Sequence, residues 1–270
     1  MREPDLPEPG LVAIPAVIAA VRERAPLVHC ITATVSMALV ADGLLAAGAR
    51  PMMTETAAEA PAMTGLADAL LVNLGTLSTD GAQGISPTVA RSTAAGHPWV
   101  LDPAAVGAGP VRGALAQELL GHRPDVIRGN ASEILALAGR GRGGRGADSV
   151  DTPAQAREAA RDLASRSGGV VAVSGPADLV TDGAREVHVN GGTPLLTRVT
   201  GTGCLLGALT AACVAVADPW HGAIAAAAWL ALAGEQAAAA APGPGSFRVA
   251  LLDELDALTA AEIAARLELT

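Results

Sequence analysis

Short apolar runs alternate with stretches of helical length and pattern through most of this chain, and no other feature restricts its fold as strongly. Strands separated by helices can join one sheet through crossover connections, so the alternation points to a mainly parallel sheet with helices packed on it. Strand candidates are Leu27–Ile31, 51–53, Ala69–Asn73, Trp99–Asp102, 126–128 and Val170–Ser174; helical patterns occupy 35–47, 56–63, 85–95, 111–120, 132–138 and 153–165. Further along, 178–181, 186–189 and 195–196 are separated by Asp182-Gly183 and Gly191-Gly192, which predicts two or three short strands joined by hairpin turns. The remainder reads as helical, over 204–216, 221–240 and two shorter segments after Pro244. The expected architecture is a layered α/β/α domain.

Half of the 270 residues are apolar, enough for a single domain over 1–270 with a substantial core. With three Trp, one Phe and no Tyr, that core must be filled by Ala, Val, Leu and Ile. A formal charge of −9 argues against nucleic acid as a partner, since phosphate backbones are bound through clustered Lys and Arg. The Gly/Arg-rich run at 139–146 accordingly reads as a surface loop rather than as a nucleic-acid segment. No lysine occurs anywhere, which excludes a Walker A phosphate loop, a lysine Schiff base and a pyridoxal-phosphate anchor. Cys30, Cys204 and Cys213 form no C-x-x-C pair, which indicates neither a zinc ribbon nor a disulfide framework and fits a reducing cytoplasm. Acids and prolines at 1–5 do not suit a secretory signal. The Ala-rich run over 222–241 contains Glu235 and Gln236 and reads as a buried helix rather than a membrane span.

Ligands of open parallel sheets bind beyond the carboxyl ends of the strands, so polar residues there are the first site candidates. These are Asn73-Leu74-Gly75-Thr76, Asp102 to Gly109, Arg128 to Glu133, Ser174 to Asp178, and Thr200-Gly201-Thr202-Gly203-Cys204. Glycines either side of Thr202, just before an apolar helix, let backbone N–H groups converge on an anion such as a transferring phosphoryl group; a tight strand-to-helix turn is the plainer reading. Cys204 falls in the first turn of that helix, where the dipole can lower a thiol pKa. It reads as a base for a substrate hydroxyl, a covalent nucleophile, or a small packed residue. Cys30 and Cys213 lie in apolar elements and read as packing residues. Asp102 and Glu133 suit Mg²⁺, which takes one or two protein carboxylates beside nucleotide phosphates; Asn130 and Glu133 also have capping-box spacing. Arg128 could hold a nucleotide phosphate or an ion-pair partner. The five histidines show no metal-ligand spacing and read as structural.

Taken in order, Leu27-Val28-His29 through Ile31-Thr32, Pro51-x-Met53, Asn73 to Ser78, Leu101-Asp102-Pro103, Ile127 to Glu133, Val199 to Leu206 and Gly243 to Phe247 resemble the motifs of the hydroxyethylthiazole kinase family. The resemblance runs from about Pro26 to Leu255. It implies a ribokinase-like three-layer α/β/α domain with a mainly parallel central sheet. It also implies ATP- and Mg²⁺-dependent phosphorylation of the hydroxyl of 4-methyl-5-(2-hydroxyethyl)thiazole, in thiamine biosynthesis or salvage, and a homotrimer with sites between subunits. By position, Arg128 and Ser174 would contact ATP, Met53 and the Gly201 backbone would line the thiazole pocket, and Asp102 and Glu133 would serve magnesium. Cys204 would activate the substrate hydroxyl, standing where other ribokinase-like kinases carry an Asp. Ala33 follows Ile31-Thr32 where the family usually has Asn, so an amide contact to substrate is missing there.

Rival expectations are a ribokinase-like kinase of another small heterocyclic alcohol, a nucleotide-binding regulatory protein without turnover, and a cysteine-nucleophile hydrolase. The last is weakened by the lack of a His partner for Cys204. No membrane partner is expected.

Overall fold

The computed structural model describes residues 9–141 and 151–270. The first five residues and most of the Gly/Arg-rich run lie outside the described residues. The strands are β1 (Leu27–Ile31), β2 (Arg50–Met52), β3 (Ala69–Asn73), β4 (Trp99–Asp102), β5 (Val126–Asn130), β6 (Val170–Ser174), β7 (Ala177–Thr181) and β8 (Glu186–Asn190). Among the described residues they form one sheet in the order β2-β1-β3-β4-β5-β6-β7-β8. The first six are parallel, as crossover connections require, and β7 and β8 add antiparallel neighbours at one side.

The helices are α1 (Pro9–Arg24), α2 (Met37–Ala46), α3 (Ala60–Thr64), α4 (Thr79–Ala95), α5 (Pro110–Leu120), α6 (Ala131–Leu137), α7 (Pro153–Ser167), α8 (Thr202–Val214), α9 (Pro219–Ala240), α10 (Pro244–Ala257) and α11 (Ala260–Arg266). Alternation along each strand divides the core in two. Val28, Cys30, Leu71, Val100 and Val126 pack with α1, α2, α8, α9 and α10, whereas Ile31, Leu70, Val72, Leu101 and Ile127 pack with α4 to α7. A sheet covered on both faces buries whole strands, which is why β3 and β4 are apolar along their length until Asn73 and Asp102 end them. Fully burying one such Leu or Ile contributes roughly 1.5–3 kcal/mol.

The helix starts are written in short polar side chains. Ser78 accepts from the N–H of Gly81, Thr152 and Gln155 form a capping box, and Asp218 accepts from the N–H groups of Trp220 and His221. At the far edge of the sheet, His188 and Thr270 exchange backbone hydrogen bonds of 2.8 and 3.1 Å, so the last residues cover β8.

Several boundaries differ from expectation. α1 has a buried stripe of Ile14, Val17, Ile18 and Val21 at helical spacing, masked in the sequence by the prolines around it. The strand expected at 195–196 is instead a 3-10 turn over Pro194–Arg198, because Pro194 takes its first position and Thr193 caps the N–H of Leu195. The helix expected over 35–47 begins as a 3-10 turn, Thr34–Ser36, before α2, and α4 starts at Thr79 rather than 85 and carries Pro87 within it. α9 is long and apolar enough to cross a membrane, yet 67% of its apolar window is buried within the fold, as expected of a core helix.

Candidate active site

The carboxyl ends of β3, β4, β5 and β6 converge on one polar cluster, and α8 points its first turn at it. Asp102 ends β4 at 1% exposure, and Arg128 stands in β5 at 8%. One guanidinium nitrogen of Arg128 lies 3.4 Å from Asp102 Oδ2, and the other donates to Ser174 Oγ at 2.7 Å. Arg128 is therefore a buried cation and not a surface ion-pairing residue. Burial works against its charge, but the carboxylates of Asp102, Glu133 and Asp178 outweigh that and hold its pKa up.

Glu133 is the third residue of α6. Its Oε2 accepts from the N–H of Asn130 at 2.8 Å, while Asn130 Oδ1 accepts from the N–H of Glu133 at 2.9 Å, so the capping box expected here is present. Oε1 accepts from the N–H of Ala105 at 2.9 Å, tying the loop after β4 to the start of α6. Burial, with Asp102 adding to it, pushes the Glu133 carboxyl up to about 7. Burial also raises Asp102, opposed by Arg128 and Asn73. Asp102 Oδ2 serves Asn73 and Arg128, and Oδ1 is buried with no protein partner.

Two glycines shape the mouth of α8. Gly201, its N-cap, has φ +96°, and a Cβ there would lie 2.6 Å from Ser36 Cβ. At Gly203 a Cβ would come within 2.9 Å of an Arg128 guanidinium nitrogen. Small residues thus bring the backbone N–H groups of this turn beside Arg128, with no side-chain cap filling the space.

Cys204 follows, partly exposed. Burial pushes its thiol up and the Asp102 carboxylate adds to this, while Ser36, Arg128 and Asn73 pull it partway back. The lowering expected from the helix dipole is thus overturned, because desolvation and a neighbouring negative charge exceed it. Cys30 and Cys213 are buried, and burial raises both thiols. His221 does pair with an acid, its Nδ1 lying 2.6 Å from Asp218 Oδ2, but this pair sits at the start of α9.

The structure therefore joins Asp102, Arg128, Glu133, Ser174 and Cys204 in one network, with Gly201 at its rim. Met53 stands apart, just past the carboxyl end of β2, half-buried against the core. In the sequence, Asn73 and Asp178 stand out only as members of polar segments that follow strands, with no role of their own. Asn73 was findable as a polar residue ending an apolar strand two positions before Gly75, the spacing of an Asx turn.

The arrangement matches known proteins closely. The family model described as "Hydroxyethylthiazole kinase family" matches residues 18–261. The chain belongs to the hydroxyethylthiazole kinase family. A hydroxyethylthiazole kinase from Cronobacter sakazakii is 52% identical over 242 residues, covering 89% of this chain and 91% of its relative. One from Kineococcus radiotolerans is 49% identical over 264 residues, 97% and 95% of the two chains. The solved hydroxyethylthiazole kinase of Pyrococcus horikoshii superposes with a TM-score of 0.88 at 37% identity, covering 95% of this chain and 98% of the other. A pyridoxal kinase from Staphylococcus aureus, 16% identical with a TM-score of 0.59, shares the fold. The hydroxyethylthiazole kinase family fold is the ribokinase-like α/β/α arrangement, as the sequence led us to expect.

Asp178 gives this family member a measurable pH signature. Burial pushes its carboxyl up to about 6, against the pull of the Gly175 N–H and Arg128. The ordinary value is 3.8, so the folded state binds the proton more tightly and stability falls as pH rises between the two values. Asp178→Asn removes that penalty and keeps an oxygen for Gly175. The variant should melt with the wild type near pH ~4 and exceed it above pH ~6.5, by on the order of 2 kcal/mol after allowing for partial exposure. Thermal melts whose difference is constant across this range would contradict the assignment.

Proposed function

We propose that this chain transfers the γ-phosphoryl group of ATP to the hydroxyl of 4-methyl-5-(2-hydroxyethyl)thiazole, as a single kinase domain working in the cytoplasm. The observation that carries the reading is the Asp102–Arg128–Ser174 network placed directly against the open first turn of α8. Phosphoryl transfer asks a protein mainly for positioned donors and charge around the moving group, and this network supplies both. Arg128 and Ser174 bind the nucleotide phosphates, and the N–H groups after Gly201 face the charge that develops during transfer. Met53 and Gly201 border the thiazole, with Ala33 offering only a methyl group to the same pocket.

The residues present fit Mg²⁺. Asp102 Oδ1 is a buried acceptor without a protein partner, and the carboxyls of Asp102, Glu133 and Asp178 gather around one Arg128, where a bound cation would favour their ionised forms over the raised pKa that burial gives them. Asp102 would hold the ion directly or through water, and Glu133, whose two oxygens already take N–H groups, would support it mainly by charge. When bound, the ion neutralises phosphate charge and draws electron density toward the leaving nucleotide.

Cys204 relays the proton of the substrate hydroxyl, taking it on sulfur as the thiol's own hydrogen passes on, without forming a covalent intermediate. Because the thiol is held up rather than down, a carboxylate in its place would be the better base at neutral pH. Cys204→Asp should therefore match or exceed wild-type turnover, and Cys204→Ala should slow it by about tenfold or more with ATP binding nearly intact. Equal rates for wild type and Cys204→Ala would make this cysteine a packing residue only. A covalent adduct seen by intact-protein mass spectrometry during turnover would make it a nucleophile. The reading as a whole is tested by mass-spectrometric identification of the product: a phosphate monoester of the thiazole alcohol is expected, and its absence with active nucleotide binding would leave a regulatory protein.

We further propose a homotrimer, a reading that rests on the likeness to the family. Light scattering should give three times the chain mass at micromolar concentration. A fully active monomer would rule the assembly out.

A further inference from the structure

Asn73 ends β3 at 2% exposure, between Asp102 and Cys204. Its amide orientation is fixed by its neighbours. The N–H of Gly75 donates to Oδ1 at 2.8 Å, so the oxygen must face Gly75 and the two hydrogens of Nδ2 must face the other way. Nδ2 then donates to Asp102 Oδ2 at 2.6 Å and to Cys204 Sγ at 3.4 Å. No other side chain hydrogen-bonds to both of these groups among the described residues. Each bond removes a freedom from its partner. With Oδ2 occupied by Asn73 and Arg128, the free atom of Asp102 is Oδ1. With an N–H aimed at Sγ, the sulfur is an acceptor on that side and must direct its own hydrogen elsewhere.

We propose that Asn73 is a positioning residue of the phosphoryl-transfer site, one amide that sets both the Asp102 oxygen facing the phosphates and the side of the Cys204 sulfur facing the substrate hydroxyl. The proposal rests on the kinase reading above for its catalytic consequence, but the Asn73–Cys204 contact itself does not depend on it. A purely structural Asn would need only its turn bond to Gly75, and a serine can supply that bond from the same position. Asn73→Ser therefore separates the two roles: it keeps a turn acceptor and is too short to reach Asp102 and Sγ together.

The test has two readouts. The first is alkylation of Cys204 by iodoacetamide, with Cys204→Ala as the blank because Cys30 and Cys213 are buried. Losing a donor to sulfur should slow alkylation by roughly threefold or more in Asn73→Ser. The second is steady-state kinetics: kcat should fall by about tenfold or more, KM for ATP should stay within about twofold, and the same substitution should cost clearly less in a Cys204→Ala background. Unchanged alkylation, or an equal loss in both backgrounds, would overturn the proposal and leave Asn73 as a turn residue. Should Asn73→Ser fold poorly, Asn73→Thr, which also keeps a turn oxygen, fills more of the space and lacks the amide donor, is read by the same alkylation assay with the same expectation. If the chain makes no thiazole phosphate at all, the kinase reading fails, while the alkylation rates still decide whether Asn73 holds the sulfur.

Discussion

Replacing Asp102 by asparagine should lower kcat by about two to three orders of magnitude with the fold retained, because the carboxylate proposed to hold magnesium is lost with little change of shape. The expectation comes from the two unequal oxygens of this side chain. Oδ2 is engaged by Asn73 and Arg128, whereas Oδ1 is buried and faces no protein donor. Such an atom is costly to keep unless something outside the protein completes it. The substitution should also flatten the dependence of turnover on magnesium concentration. Near-normal kcat in Asp102→Asn would mean that the carboxylate serves Arg128 alone.

Arg128→Met should be the most destabilising change in the site, costing about 3–5 kcal/mol near neutral pH, because it leaves Asp102 as a buried carboxylate without its cation. Burial already raises the Asp102 pKa, with Arg128 the main force opposing it. Once the cation is gone, the carboxyl should take up a proton more readily, so the penalty should shrink as pH is lowered. The double variant Arg128→Met, Asp102→Asn should regain much of the lost stability, since the uncompensated charge is then absent. It should not regain nucleotide affinity, because the guanidinium proposed to hold phosphate, which also donates to Ser174, is still missing. Denaturant melts of the single and double variants at two pH values check this; a loss independent of pH and unrelieved in the double variant would point to lost packing instead.

Much of this site is legible in the sequence. Strands buried on both faces must be apolar until they end, so Asn73, Asp102, Arg128 and Ser174 announce themselves as polar residues at or near the carboxyl ends of such runs. The capping box of Asn130 and Glu133 was readable from spacing alone. Two things were not. The ionisation of Cys204 depends on how much water and which charges surround it, and these come from β4 and β5, far away in the sequence. The role of Asn73 depends on Sγ of a residue 131 positions later lying 3.4 Å from its amide, a distance only tertiary packing sets. In the fold, α1 was hidden because its buried stripe is interrupted by Pro15, which the helix accommodates within its first two turns. The pair Leu195-Leu196 failed as a strand because Thr193 and Pro194 start a helical turn.

Whether the cluster around Asp102, Arg128 and Cys204 phosphorylates a thiazole alcohol is decided by ADP release measured with a panel of small heterocyclic alcohols. Magnesium-dependent release is expected, strongest with 4-methyl-5-(2-hydroxyethyl)thiazole and stoichiometric with its phosphate ester. Release that is indifferent to the alcohol, or absent with every alcohol, would contradict the kinase reading.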